Sequence, residues 1–195
     1  MHKKFFAGAA VKDSALTDRQ IKVVASTAVK DRVGDIMVPR GCDVSLYQKN
    51  PIVLANHDPN LPIGTAEISV EDDAIGALIT FAPVGASAKA DEYCALAKAG
   101  VLNTVSVGFQ PIEAEPIKGA GELYKAWSLL ELSLVSVPAN PEAVVTARSL
   151  EMAEKGQKWR VGASRNLPVS NTEEWDEEED LKIISRFSPK EQIFN

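Results

Sequence analysis

The chain has 195 residues, which is enough for one domain with a sizeable core or for a domain followed by a tail. Hydrophobic residues make up 45% of it and charged residues 25%, values typical of an ordinary globular protein. The formal net charge of -6 does not favour nucleic-acid binding, which requires a basic face. No run approaches the roughly 18 consecutive apolar residues of a membrane helix. We therefore expect a soluble protein with neither a nucleic acid nor a membrane as its partner.

The N-terminal segment predicts two strands. Residues 5–11 and 21–29 are rich in Val, Ile, Phe and Ala, and the polar residues 12–19 between them favour a hairpin loop. The apolar run at residues 5–11 is at the short limit for a secretory signal and is followed at once by charged residues. A first strand is therefore the better interpretation, and we expect synthesis in the cytoplasm.

A histidine follows the next short strand. Residues 52–55 are apolar and predict a buried strand, which stops at a turn formed by Asn56, His57, Asp58 and Pro59. His57 is the only histidine outside the extreme N-terminus, so any proton transfer by imidazole depends on it. From this stretch alone, a catalytic base and an ordinary surface histidine are equally compatible with the sequence.

The middle of the chain predicts a hairpin and a helix. Residues 63–70 and 74–81 are strand-like and flank an acidic turn. Ser87 is placed to cap a helix that ends just before Gly100. This helix is expected to pack against a sheet.

Two later segments alternate with a period of two. Residues 103–110 place Ser106 on a face of small polar residues. Residues 129–137 place Leu130, Leu132 and Leu134 on one face, and Glu131 with Ser133 on the other. A carboxylate between apolar neighbours is expected to be partly buried and to require a partner.

The C-terminal part predicts a second helix and then a tail. Asn140 is placed as its N-cap and Pro141 as its first residue, the helix continues over residues 144–153, and Gly156 ends it. Beyond Gly156, five consecutive acidic residues at 176–180 repel one another. Residues 156–195 are therefore predicted to be an acidic, flexible tail.

The residue types suffice for a catalytic triad of Ser106, His57 and Glu131, because a serine nucleophile needs a base and a group that orients the base. The spacing alone is a weak signal, since no GxSxG motif is present. A cysteine hydrolase using His57 with Cys94 or Cys42 is an alternative. The two cysteines form no CxxC pair, which argues against a zinc site or a disulfide, and small core positions are the favoured interpretation.

Three motifs together resemble the prohead maturation proteases of tailed phages, a family distantly related in fold to herpesvirus assemblin. They are NPIVLANHDPNLPIG at residues 50–64, TVSVGF at 104–109 and LLELSLVSVPANPEA at 129–143. The resemblance covers residues 5–155, and the combination is more specific than any single motif. It implies a protease domain at residues 1–155. It also implies a mostly β (α+β) fold, a compact antiparallel β-barrel with surrounding helices, as in assemblin.

The resemblance also assigns roles to the candidate residues. The histidine of the NHD-type motif is the family's catalytic base and the serine of its S-[IV]-G-[FY] motif is the nucleophile, which correspond to His57 and Ser106 here. Assemblin-type enzymes use a second histidine as the third member. The other histidine of this chain is His2, at the extreme terminus, so Glu131 is the natural replacement.

The implied function is that of a serine endopeptidase which cleaves the scaffolding segment of the major capsid protein, and also itself, during prohead maturation. It implies no cofactor and no metal. The enzyme would act in the host cytoplasm, packaged inside the immature capsid, and a homo-oligomer is left open. Removal of the tail at residues 156–195 would suit self-cleavage. The alternative is a catalytically inactive capsid assembly or scaffold component of the same fold.

Overall fold

The computed structural model describes residues 10–117 and 121–149. The strands, in chain order, are β1 (Val11–Asp13), β2 (Gln20–Thr27), β3 (Ile36–Met37), β4 (Cys42–Asp43), β5 (Ile52–Ala55), β6 (Asp58–Val70), β7 (Ala74–Phe81), β8 (Thr104–Pro116), β9 (Glu122–Val135) and β10 (Val145–Ser149). One helix, α1, spans Ala88–Lys98 in this part of the chain, and two short 3-10 turns lie at Pro39–Gly41 and Tyr47–Lys49. No helix among these residues is long and apolar enough to cross a membrane.

The ten strands form one mixed sheet. Its order is β1-β10-β2-β7-β6-β5-β9-β3, and β4 and β8 also pair with β9. The mostly β class is therefore confirmed. Because β1 and β3 end the sheet without pairing to each other, the sheet is not closed within the described residues, and the closed assemblin-like barrel stays a prediction.

Several local signals predicted their elements correctly. The strand predicted at residues 52–55 is β5, and β6 with β7 forms the predicted hairpin, closed by a bond from the Glu71 amide to the Ala74 carbonyl at 2.9 Å. Helix α1 begins after Ser87, whose Oγ accepts from the Ala90 amide at 3.3 Å. Gly100 follows its end with a φ of 71°, a conformation that glycine adopts without strain.

The second predicted helix is wrong over its described part, because residues 145–149 form β10. This strand pairs antiparallel with β2, with Val145 opposite Val23, and parallel with β1. Asn140 does accept a bond from the Glu142 amide at 2.9 Å, but it caps a turn. The β-branched Val145 and its neighbours suit a strand, and pairing with distant strands overrides the local helix signal. The rest of the predicted helix lies outside the described residues.

The predicted N-terminal hairpin is also wrong over its described residues. Strand β1 pairs with β10, which separates it from β2 in the sheet. Residues 5–9 of the first predicted strand lie outside the described residues. The predicted tail at residues 156–195 lies outside them as well, so the domain boundary near residue 155 stays a prediction.

Strand β9 is the centre of the core and also carries part of the candidate site. Its side chains at Trp127, Leu129, Leu132 and Leu134 are fully buried. Burial of each such side chain contributes about 1.5–3 kcal/mol, which fixes the strand firmly against its neighbours. The apolar face predicted for residues 129–137 is wrong at one position. Leu130 is 49% exposed, and Leu129 is buried in the core in its place.

A β-bulge causes this change of face. Gly108 of β8 pairs with Glu131, but the next residue of β8, Phe109, pairs with Leu129, so Leu130 is the extra residue. Bulges re-aim side chains and are common beside active sites. The simple alternation of the sequence therefore holds only from Glu131 onward.

Candidate active site

His57 lies in the two-residue loop of a tight hairpin between β5 and β6, in which Ala55 pairs with Asp58. Asn56 and His57 both have positive φ values, 50° and 60°. The turns that are favoured in two-residue hairpin loops have this conformation. Residues other than glycine seldom adopt this conformation. Hydrogen bonds hold it here, because the Asn56 amide donates to the Leu134 carbonyl at 3.0 Å and the Asn56 side chain donates to Tyr93 Oη at 2.9 Å.

Parallel pairing of β5 with β9 brings His57 to Glu131. The pairing places Ala55 opposite Leu134, and in the loop that follows β5 the backbone amide of His57 donates to Ser133 Oγ at 3.1 Å. His57 Nδ1 and Glu131 Oε1 are 2.6 Å apart. The Glu131 side chain is 17% exposed and that of His57 is 45% exposed. The expectation that Glu131 is partly buried and paired is therefore confirmed.

Ser133 completes the surroundings of this pair. Its Oγ donates to Glu131 Oε2 at 2.6 Å and accepts from the backbone amide of His57 at 3.1 Å. The Glu131 carboxylate is thus bound through both oxygens. Nearby, burial and then the negative charge of Glu131 raise the pKa of Tyr47, whose hydroxyl donates to the Ile52 carbonyl at 2.9 Å.

Gly108 makes room for the Glu131 side chain. The two residues are cross-strand partners, and a Cβ on Gly108 would overlap the carboxylate and lie 2.9 Å from Glu131 Cγ. A glycine within a strand commonly marks a close approach of this kind.

Ser106 lies one strand away from the His57–Glu131 pair. It pairs directly with Ser133, so both side chains are on the same face of the sheet, and Cβ atoms in such pairs are about 4.5–5.5 Å apart. Ser106 is 7% exposed, and its hydroxyl has no hydrogen-bond partner among residues 10–117 and 121–149. It borders a cavity of about 40 Å³ that Ser26 and Asn140 also line. The structure therefore joins His57 to Glu131 directly and places Ser106 close by, without a hydrogen bond between Ser106 and His57.

This arrangement has a clear chemical capacity. A carboxylate that accepts from Nδ1–H fixes the imidazole tautomer, so a neutral ring carries its lone pair on Nε2. That nitrogen can accept a proton, and the carboxylate stabilises the imidazolium that results. Within the described part of the chain, no group of three or more His, Cys, Asp or Glu side chains is placed to hold a metal.

The structure does not favour either cysteine as a nucleophile. Cys94 is buried in α1, as predicted, and burial raises the pKa of its thiol. Cys42 is half-buried on β4, and burial raises the pKa of its thiol to about 12. A thiol must ionise to attack, and reactive cysteines have lowered pKa values.

Sequence reasoning missed two residues of the site, Ser133 and Gly108. Ser133 was placed on the same face as Glu131, and this position could have identified it as a neighbour of the carboxylate. Gly108 could have been found from its position inside a strand pattern.

Comparison with known proteins gives the family. The family model of the caudovirus prohead serine proteases matches residues 20–158. The chain is 32% identical over 146 residues to the prohead protease of Escherichia phage T5, covering 72% of this chain and 68% of that protein. It is 32% identical over 158 residues to the capsid polyprotein of Pseudomonas phage PAJU2, covering 77% of this chain but only 23% of the polyprotein. No solved structure matches it. The resemblance of the three motifs is thus confirmed, and the chain belongs to the caudovirus prohead serine protease family.

Proposed function

We propose that this chain is a serine endopeptidase in which Ser106 is the nucleophile, His57 is the general base and Glu131 orients and stabilises the protonated base. The observation that carries the proposal is the 2.6 Å contact between His57 Nδ1 and Glu131 Oε1. This contact leaves Nε2 as the proton acceptor. The neighbouring strand carries Ser106, whose hydroxyl has no hydrogen-bond partner in the described part of the chain. Membership of a family of serine proteases supports the same assignment.

The proposed reaction follows the general course of acyl transfer by serine. Ser106 Oγ attacks the carbonyl carbon of the scissile peptide while its proton passes to His57 Nε2. The C–N bond then breaks, and the same proton passes from Nε2 to the leaving amine. Water, deprotonated by His57, releases the acyl group and restores the serine.

Ser106 and His57 are not hydrogen-bonded in this structure. Catalytic hydrogen bonds are often long or absent before substrate binds. Rotation of the Ser106 side chain towards His57 Nε2, with the His57–Glu131 contact kept, is the movement the proposal requires.

The proposed substrate is the scaffolding segment of the major capsid protein, with the chain itself as a second substrate. A relative named as a capsid polyprotein contains a segment similar to this chain, which supports a capsid protein as the target. The proposed place of action is the inside of the immature capsid in the host cell. Removal of residues 156–195 would be the natural self-cleavage.

The proposal includes an assemblin-like barrel. Its support comes from residues 143–145, which connect strands at opposite sides of the sheet order. The Val24 amide of β2 donates to the Val144 carbonyl at 2.9 Å, and the Val105 amide of β8 donates to the Ala143 carbonyl at 3.0 Å. These bonds bring β2 and β8 towards each other through a short shared segment.

Co-expression with the major capsid protein of the same phage tests the function. Mass spectrometry of both proteins is expected to find cleaved capsid protein with the unaltered chain and intact capsid protein with Ser106→Ala, because loss of a triad member costs several orders of magnitude in rate. Ser128→Ala is the matched control, since Ser128 is also 7% exposed and its buried hydroxyl has no partner among the described residues. Normal processing by a folded Ser106→Ala variant would refute the nucleophile. Intact capsid protein with the unaltered chain would favour the inactive scaffold component.

A further inference from the structure

One buried hydroxyl contacts both the proposed base and the group that orients it. Ser133 Oγ accepts from the backbone amide of His57 at 3.1 Å and donates to Glu131 Oε2 at 2.6 Å. Ser133 is fully buried, and its strand partner is Ser106. The hydroxyl therefore lies between the three residues of the proposed triad.

The bond to Glu131 fixes the orientation of the carboxylate. With only Oε1 bound to His57, the carboxyl group could rotate about its terminal torsion, which is broad for glutamate. With Oε2 also bound by Ser133, both oxygens are fixed. A hydrogen bond to a charged acceptor is also stronger than one between neutral groups.

The bond to the His57 amide fixes the backbone that carries the base. His57 has a φ of 60°, a conformation that only the surrounding structure maintains in a residue other than glycine. Ser133 Oγ accepts the amide proton of that same residue. Loss of this acceptor would leave the amide unpaired and weaken the turn.

We propose that Ser133 is a positioning residue, which holds Glu131 and His57 in the arrangement that activates Ser106. The inference rests on the proposed function. Ser133 itself is not the nucleophile, because it is fully buried and its proton is donated to Glu131. Its effect on the reaction passes through Glu131 and His57.

The test measures how fast a fluorophosphonate probe labels Ser106. Two quantities are determined separately, the labelling rate at saturating probe and the probe concentration that gives half of that rate. Ser133→Ala is expected to lower the limiting rate at least about tenfold and to leave the half-saturating concentration unchanged, because the probe's contacts remain. Ser133→Thr keeps a hydroxyl and is expected to recover most of the rate. Ser128→Ala is the matched control on the same strand and is expected to label like the unaltered chain.

A double-mutant cycle separates positioning from a merely structural role. Because Ser133 acts partly through Glu131, Ser133→Ala should slow labelling less in a Glu131→Ala background than in the unaltered chain, since coupled residues are not additive. Equal losses in both backgrounds would overturn the inference. If Ser133→Ala does not fold, Ser133→Cys replaces it, because a thiol of similar size is a weaker donor and should also slow labelling.

The outcomes distinguish this inference from the proposed function. The proposed function fails if the probe does not label the unaltered chain. It also fails if the probe labels the Ser106→Ala variant as well as it labels the unaltered chain. If labelling requires Ser106 but folded Ser133→Ala (or Ser133→Cys in its place) reacts at the normal rate, the inference about Ser133 fails alone.

Discussion

Gly108 and Glu131 face each other across β8 and β9, and the space that a side chain on Gly108 would fill is occupied by the Glu131 carboxylate. The strand β8 therefore contributes more than its serine to the site. It also provides the gap through which Glu131 reaches His57.

Gly108→Ala is expected to lower the cleavage rate about 10²-fold, because the added methyl group displaces a carboxylate whose position matters, and a misplacement of about 1 Å can cost that much. The fold should survive, since the group that must move is the end of a long side chain. Circular dichroism and capsid-protein cleavage assays measure the two effects. Gly76→Ala, where the new methyl group would meet the Ser69 side chain of another hairpin, is the comparison. Full activity of Gly108→Ala would contradict the described packing.

Glu131→Gln is expected to lower the limiting cleavage rate by about 10³–10⁴-fold, because the amide keeps the shape but loses the charge that stabilises the imidazolium. Glu122→Gln, an exposed change at the start of β9, is the control. An unchanged cleavage rate would leave Ser106 and His57 as a dyad.

The cysteines should be inert in the folded chain. With the pKa of Cys42 raised to about 12 by burial, roughly one thiol in 10⁴ is ionised at pH 8. Iodoacetamide at pH 8 should therefore modify Cys42 and Cys94 slowly, and cleavage activity should persist. Both should react quickly in urea, where their pKa values return to the ordinary range. Rapid alkylation of the folded chain with loss of cleavage would revive the cysteine alternative.

The cap of α1 provides a test of stability separate from catalysis. Ser87→Ala removes the acceptor of the Ala90 amide and is expected to cost about 1 kcal/mol of unfolding free energy. The melting temperature should fall by about 2–4 °C. Ser87→Asp retains a capping oxygen and should melt close to the unaltered chain. Equal melting temperatures for the Ala variant and the unaltered chain would show that the cap contributes nothing.

Local patterns predicted elements whose causes are local. The run at residues 52–55, the turn after it and the capped helix α1 all depend on residues near one another in sequence, and the structure has them as predicted. The same kind of signal at Asn140 predicted a helix wrongly, because β10 depends on pairing with β2 and β1, more than 100 residues earlier. No periodicity within residues 140–149 contains that information.

The residues of the candidate site also divide into those that the sequence could predict and those that depend on strand pairing. Glu131 could be singled out because a carboxylate between leucines needs a partner, and His57 because no other histidine lies in the body of the chain. The bulge at Leu130 could not be predicted, since a bulge is a property of two strands together. The pattern placed Ser133 on the face of Glu131, but its bond to the His57 amide depends on the pairing of β5 with β9, which no local pattern contains.

The parallel pairing of β5 with β9 has a consequence for the order of events during synthesis. His57 and Glu131 are 74 residues apart, and β9 is complete only when Val135 has been added to the growing chain. Contacts between such distant segments pay the entropy of closing a long loop and slow the folding of sheet proteins. A ribosome-bound chain that ends before Glu131 holds the histidine turn without its carboxylate partner. Under the proposed function, capsid proteins made alongside such unfinished chains would meet no assembled protease.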